Sequence, residues 1–258
     1  MALAELSVKE LLKAGVHFGH KASRWNPKMA PYIYSKRNMV HLIDVRQTVR
    51  GLVRAYHLLE NLARKGEIVL FVGTKRQIKS VLETEARRAG MPFVAERWPG
   101  GLLTNYRTVR ARLNRLLEIE RWEQEGVLKS FTKQEVARLM RLKRKLMRNL
   151  DGIRVMDRHP ACVVIVDPGR EAIAIQEANK IGATIVGLID TDADPDVLDV
   201  PIPCNDDSMK VVQIIIRSLA DAVIEGRSKN PALAAAETAA PAESEPEAPA
   251  ETSAAGAQ

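Results

Sequence analysis

Two stretches of this chain gather positive charge in a form suited to holding phosphate. Residues 20–37 read HKASRWNPKMAPYIYSKR, with Lys21, Arg24, Lys28, Lys36 and Arg37 and no acidic residue, and with Trp25, Tyr32 and Tyr34 interleaved. Cationic side chains answer phosphates, and aromatic rings can stack on bases or sugars. The same rings could instead pack the segment onto a sheet. Residues 138–148 hold six basic side chains in eleven positions, Arg138, Arg141, Lys143, Arg144, Lys145 and Arg148, again with no acid. A merely solvated helical face mixes its signs, because like charges one turn apart repel. Contact with a polyanion is the better reading of that run. Arg107, Arg110, Arg112 and Arg115 lead into it, and residues 105–150 together carry thirteen Lys or Arg against five Glu.

Three weaker groupings accompany these. The turn Arg97-Trp98-Pro99-Gly100-Gly101-Leu102-Leu103-Thr104-Asn105 follows a strand signal. It therefore falls at the carboxyl edge of a sheet, where α/β proteins bind ligands, although Pro-Gly-Gly could serve only to redirect the chain. Val72-Gly73-Thr74-Lys75 and Asp167-Pro168-Gly169-Arg170 are strand-to-helix turns without the spacing of a nucleotide-binding loop. Free N–H groups at a helix start still suit one phosphate, which brings in Thr74, Lys75 and Arg76. Finally, His17 and His20 could meet Asp190 and Asp206 if neighbouring strand ends converge, a donor set for zinc or another divalent ion that linear spacing does not require. No nucleophile elbow, HExxH or Ser/His/Asp arrangement is legible. The acidic run Asp190–Asp199 lacks the glycine and terminal glutamate of a calcium loop. Nothing here calls for a cofactor or a small-molecule substrate, and the chain does not read as an enzyme.

The elements that must position these residues alternate between strand and helix. Asn38–Ile43 is a short apolar run. Asp44 opens a helix with Gln47 where a capping box wants it, and Leu52, Ala55, Leu59 and Leu62 form its stripe up to Gly66. Ile68–Val72 is a continuous apolar strand, as expected where both faces are covered. Thr74 is expected to cap the next helix, which ends near Gly90, and Pro92–Ala95 is a third short strand. The pattern resumes with a strand at Ala161–Asp167, a helix at 170–180 closing on Gly182, strands at Thr184–Ile189 and Pro201–Cys204, and a last helix at 208–224. Such alternation argues for a parallel sheet with helices on both faces. Pro27 and Pro31 argue against a helix in the first basic stretch.

Residues 105–150 interrupt this pattern. Val109, Leu113, Leu116 and Leu117 recur at helical spacing; after a break near Glu125–Phe131, Thr132 and Glu135 form a capping box and Val136, Leu139, Met140, Leu146 and Leu150 a second stripe. The expectation is an αα-hairpin inserted between two halves of the sheet domain. Glu118, Glu120, Glu123 and Glu125 make the far half of its first helix acidic, which suggests that the tip faces solvent or a protein.

Composition agrees with a polyanionic partner. The chain has 258 residues and a net charge of +7, but residues 229–258 alone carry one Lys and five Glu, so the body holds +11. That terminal segment is almost wholly Ala, Glu, Pro, Ser and Thr and is expected to be disordered. No stretch reaches the ~18 apolar residues that span a bilayer, and the first residues, with Glu5, Lys9 and Glu10, do not read as a secretory signal. Cys162 and Cys204 stand alone in apolar surroundings, as expected of buried thiols in a reducing cytosol.

Several unusual segments occur together and in order: LLKAGVHFGH (11–20), RWNPKMAPYIYSKRNMVHLIDV (24–45), FVGTKRQ (71–77), RWPGGLLTNYRTVR (97–110) and IVDPGREAIAIQEANKIGATIVGLIDTDADPDVLDVPIPCNDD (165–207). By these the chain resembles the small-subunit ribosomal protein S-two family over residues 5–226, and its basic helical insertion resembles the bacterial branch. The resemblance implies a flavodoxin-like three-layer α/β domain (1–104 plus 151–228) with a coiled-coil arm (105–150). It implies a non-catalytic constituent of the 30S subunit that binds 16S rRNA, contacts neighbouring small-subunit proteins, helps anchor the mRNA-binding ribosomal protein S-one and resides on cytoplasmic ribosomes. It also implies zinc near the His17, His20, Asp190 and Asp206 positions in some members. Two other readings compete. A nucleotide-dependent enzyme on the same fold needs a phosphate loop that is missing here, and a free RNA chaperone predicts a chain found mostly off the ribosome.

Overall fold

A computed structural model describes residues 8–230. The expected disordered tail lies outside the described residues except for Lys229 and Asn230. Five strands, β4 (Val69–Val72), β5 (Phe93–Val94), β6 (Cys162–Val166), β7 (Thr184–Ile189) and β8 (Val200–Pro203), form one parallel sheet in the order β5-β4-β6-β7-β8. Alternate residues of each strand enter different cores. Val69, Phe71, Cys162, Val164, Val186, Leu188 and Ile202 pack with α2 (Val45–Arg64), α3 (Lys79–Arg88) and α7 (Met209–Ser228). Leu70, Val72, Val163, Ile165, Ile185 and Ile189 pack with α6 (Ala172–Ile181) and with the first of the inserted helices, α4 (Tyr106–Gln124). With both faces covered, the strands are apolar throughout rather than alternating.

On the first face, α2 reaches its neighbours through small residues. A Cβ added at Gly51 would stand 2.4 Å from the Pro201 carbonyl oxygen, and one at Gly226 of α7 would stand 2.3 Å from that of Glu60. Asp44 caps α2 by accepting from Arg46 N–H at 3.0 Å, and Gly66 leaves the helix at φ +76, as the sequence predicts. The final helix runs to Ser228, one turn beyond its expected end.

The structure departs from the sequence reading in three places. Residues 20–37, where the prolines argue against a helix, hold strand and 3-10 helix. β1 (Phe18–Lys21) and β2 (Ile33–Arg37) flank β3 (Val40–Ile43) in a separate antiparallel sheet. Between β1 and β2 lie two short 3-10 helices at Ala22–Arg24 and Pro27–Tyr32. Pro27 occupies the first position of its turn, where a missing N–H costs nothing, and Asn26 caps it by accepting from Lys28 N–H at 3.0 Å. Asn38 and Met39 do not belong to a strand. Both have positive φ, 49 and 62, and form the two-residue turn that pairs Arg37 with Val40. Thr74 does not cap a helix, because α3 begins at Lys79 after a turn; the Thr74 backbone N–H and hydroxyl both donate to the buried Glu171 instead.

The insertion is two helices, α4 and α5 (Lys133–Leu150), joined through a glycine, Gly126, at φ +73 and a 3-10 turn at Val127–Ser130. Thr132 and Glu135 form a complete reciprocal capping box at the start of α5. No described helix is long and apolar enough to cross a membrane.

Candidate nucleic-acid interface

The arm leaves the sheet domain through a turn clamped by one carboxylate. Glu177, on α6 and 6% exposed, accepts from Trp98 Nε1 at 3.1 Å, from the backbone N–H of Gly101 at 2.8 Å, Leu103 at 2.9 Å and Thr104 at 3.2 Å, and from the Thr104 hydroxyl at 3.2 Å. Burial opposes its charge, but these donors outweigh it and hold the carboxyl below its ordinary value. Trp98, Leu102 and Leu103 are buried beneath the turn. The Arg97–Asn105 segment is therefore an anchored exit for the arm, with Arg97 itself exposed. Sequence reading missed Glu177. The available signal was a turn rich in backbone donors that needed an acceptor.

Charge on the arm is sorted by helix. The α4 acids are neutralised within the molecule: Glu118 pairs with Arg115 at 2.5 Å, Glu120 with Arg154 at 2.8 Å, and Glu123 with Lys143. The expected acidic outer half is thus largely an internal pairing surface. On α5 the reverse holds. Arg138, Arg144, Lys145 and Arg148 are exposed with no carboxylate partner among the described residues, and exposed Arg141 donates only to the Ala137 carbonyl at 3.3 Å. Arg138, Arg141, Lys145 and Arg148 fall three or four apart and share one face. At the arm's root Arg107 is exposed, while Arg110 is partly buried and donates to the Met156 carbonyl at 3.2 Å.

In the antiparallel unit, Lys21, Arg24, Lys36 and Arg37 are exposed. Lys28 differs: its ammonium lies 2.7 Å from Asp194 and 2.8 Å from Asp196, whose hydrogen bonds raise its pKa. Trp25 is 37% exposed and lies over His41, with ring centroids 4.9 Å apart.

At the carboxyl edge of the sheet, Lys75 is enclosed by carboxylates, 2.7 Å from Asp206, 2.9 Å from Asp207 and 3.0 Å from Asp167. Burial disfavours its charge, but the hydrogen bonds to Asp206, Asp207 and Asp167 win and raise its pKa. Burial likewise pushes the Asp206 carboxyl up to about 7, against the pull of Lys75. Lys75 thus faces inward, and of Thr74, Lys75 and Arg76 it is Arg76 that is exposed. His20 Nδ1 meets Asp190 at 2.9 Å, and its Nε2 is 3.4 Å from Asp207. The Asp190 hydrogen bond raises its pKa to about 9 despite partial burial.

Of the four metal-ligand candidates, only His20 and Asp190 are paired. Asp206 is held by Lys75, and His17 is set against Phe18 with centroids 4.2 Å apart. No group of three or more His, Cys, Asp or Glu side chains among the described residues is arranged to hold a metal. The donors do not fit zinc as placed, because an ammonium already supplies the cation among these carboxylates.

Comparison with known proteins points to one family. The family described as ribosomal protein S2 matches residues 11–226. The small ribosomal subunit protein uS2 of Rhodopirellula baltica is 51% identical over 227 residues, covering 88% of this chain and 87% of that protein.

Proposed function

The chain belongs to the ribosomal protein S2 family, and from that premise we propose that it is built into the small ribosomal subunit by binding 16S rRNA along the α5 stripe and the β1–β2 segment. It is a structural protein of translation and not an enzyme. The observation that carries the RNA reading is the sorting of charge on the arm: acids of α4 paired internally, basic residues of α5 left exposed. Cations that repel one another along a helix face are stabilised by a phosphate backbone.

In this reading the sheet domain is flavodoxin-like, supported by the strand order β5-β4-β6-β7-β8. The arm is a short antiparallel coiled coil, supported by Val136, Leu139, Lys143, Leu146 and Leu150 recurring at alternating steps of three and four. Arg138, Arg141, Arg144, Arg148, Arg107, Lys21, Arg24, Lys36, Arg37, Arg76 and Arg97 are the phosphate-facing candidates. Lys28 and Lys75 are left out because carboxylates hold them. Contacts with other small-subunit proteins are supported by the family, and a part in anchoring ribosomal protein S-one is proposed from the family resemblance alone.

The test is incorporation. A chain with Arg141→Glu, Arg144→Glu and Arg148→Glu should be depleted from small subunits in a sucrose gradient, with free chain accumulating. Wild-type incorporation of that triple variant would sink the arm as an RNA contact. Binding to rRNA should also be steep in salt, since neutralising ~6–10 phosphates costs about 10³–10⁵ in affinity between 50 and 200 mM.

A further inference from the structure

His41 is an unusual residue to find where it is. It lies in the central strand of the antiparallel sheet, is 8% exposed, and neither ring nitrogen has a hydrogen-bond partner among the described residues. A buried polar group without a partner is destabilising, so an aliphatic side chain would serve packing better. What the imidazole does contact is an indole. Trp25 covers it at 4.9 Å between centroids, within aromatic contact range, with the rings inclined by 38°. Trp25 itself remains 37% exposed. Lys36 stands directly across the ladder from His41, and Lys21, Arg24 and Arg37 are exposed on the same small unit.

We propose that the Trp25–His41 pair is a stacking site for one unpaired nucleobase of RNA, Trp25 offering the platform and His41 holding it from beneath. An aromatic ring backed by a second ring and flanked by cations is how single-stranded nucleic acid is held, with bases on rings and phosphates on Lys and Arg. A duplex keeps its bases stacked inside and gives such a platform nothing to receive, so the site selects an unpaired nucleotide. His41 is a positioning residue: it acts through Trp25. The proposal rests on the RNA-binding reading above and adds to it a place where a base, rather than the phosphate backbone, is held.

The test uses the full chain and an octaribonucleotide with a central 2-aminopurine, alone and annealed to its complement. Wild type should bind the single strand and quench its fluorescence. Trp25→Ala should abolish the quenching and weaken single-strand binding by about 5- to 150-fold, the range for one base–aromatic stack, while duplex binding is unchanged. Trp25→Phe should retain most of both. His41→Phe, which keeps a ring beneath Trp25, should behave as wild type, and His41→Leu should lose quenching. Where Trp25→Ala fails to fold by circular dichroism, the two His41 variants carry the test. Wild-type affinity and quenching in Trp25→Ala, equal behaviour of His41→Leu and His41→Phe, or no single-strand binding by wild type would each overturn the proposal. The underlying RNA reading fails separately, if the α5 triple Glu variant binds both probes like wild type.

Discussion

Trp98 and Glu177, 79 positions apart, meet through a 3.1 Å hydrogen bond from the indole Nε1–H to the carboxylate. The same carboxylate takes the backbone of Gly101, Leu103 and Thr104, so one side chain of α6 fixes the turn from which α4 departs. The strand before that turn and the helix after it are thereby tied to the far half of the sheet.

Replacing Glu177 by Ala removes the acceptor and leaves several buried donors unpaired. The expected loss is about 3–5 kcal/mol in urea unfolding, the range for breaking a buried charged network. Glu177→Gln, which keeps one acceptor oxygen, should lose less. Hydrogen exchange provides a local readout: amides of Gly101, Leu103 and Thr104 should exchange faster in the variant. Unaltered protection there would show that the clamp does not hold the turn.

The His20–Asp190 pair sets a pH dependence. The folded pKa of His20, about 9, lies above the ordinary 6.5, so its contribution is complete below pH 6.5 and is lost as pH rises through 9. Its size is at most about 3 kcal/mol at 1.36 kcal/mol per unit. Asp206, raised to about 7 from 3.8, also favours lower pH, but over an earlier window between those two values. Melting temperature should therefore fall from pH 6.5 to 9.5 in wild type, and that segment of the profile should flatten in His20→Gln. Parallel profiles would refute the assignment.

Lys75 and Lys28 separate stability from binding. Lys75→Met leaves Asp206 buried without its cation, and a cost of about 3–5 kcal/mol is expected. Lys28→Ala, at an exposed ion pair, should change stability by less than about 1 kcal/mol. Neither should weaken rRNA binding as Arg24→Ala or Arg138→Ala does, because the phosphates see two lysines already neutralised. Filter binding at fixed salt compares the four. A loss for Lys75→Met or Lys28→Ala as large as that for Arg138→Ala would place those lysines on RNA after all.

Cys162 and Cys204 are both 0% exposed, and burial pushes the Cys162 thiol up to about 12. Thiolate is the reactive form, so the native chain should resist iodoacetamide and consume two equivalents once unfolded in urea. Prompt labelling of either cysteine in the native state would contradict the core described for β6 and the end of β8.

Parallel strands and capped helices were legible because their signals are local. Thr184–Ile189 is an apolar run read with its observed bounds, and Thr132 with Glu135 marks the start of α5 at Lys133. The antiparallel unit was not legible: its turn places Met39 at φ 62, a conformation a methionine rarely adopts, and its prolines sit in 3-10 rather than α geometry. Among site residues, the basic run on α5 was visible because the helix carries it on its own surface. The roles of Lys75 and Glu177 were hidden for the opposite reason. Asp206 lies 131 positions from Lys75, and Trp98 lies 79 from Glu177; only the closure of the sheet brings such charges and donors together. Two acids of α4 misled for the same cause, since Lys143, the partner of Glu123, sits on α5 and Arg154, the partner of Glu120, beyond it.

Val109, Leu113 and Leu116 of α4 lie in the same core as Leu70, Val163 and Ile165 of the sheet. The helical projection is thus rooted in the interior rather than hinged on the surface. A pull or twist applied to its far end, at about 1.5 Å of lever per residue, is delivered to β4 and β6, and yielding at the root requires opening the core itself. Two bodies gripped separately by the inserted helices and by the sheet would be held at a fixed angle by the stiffness of this one joint.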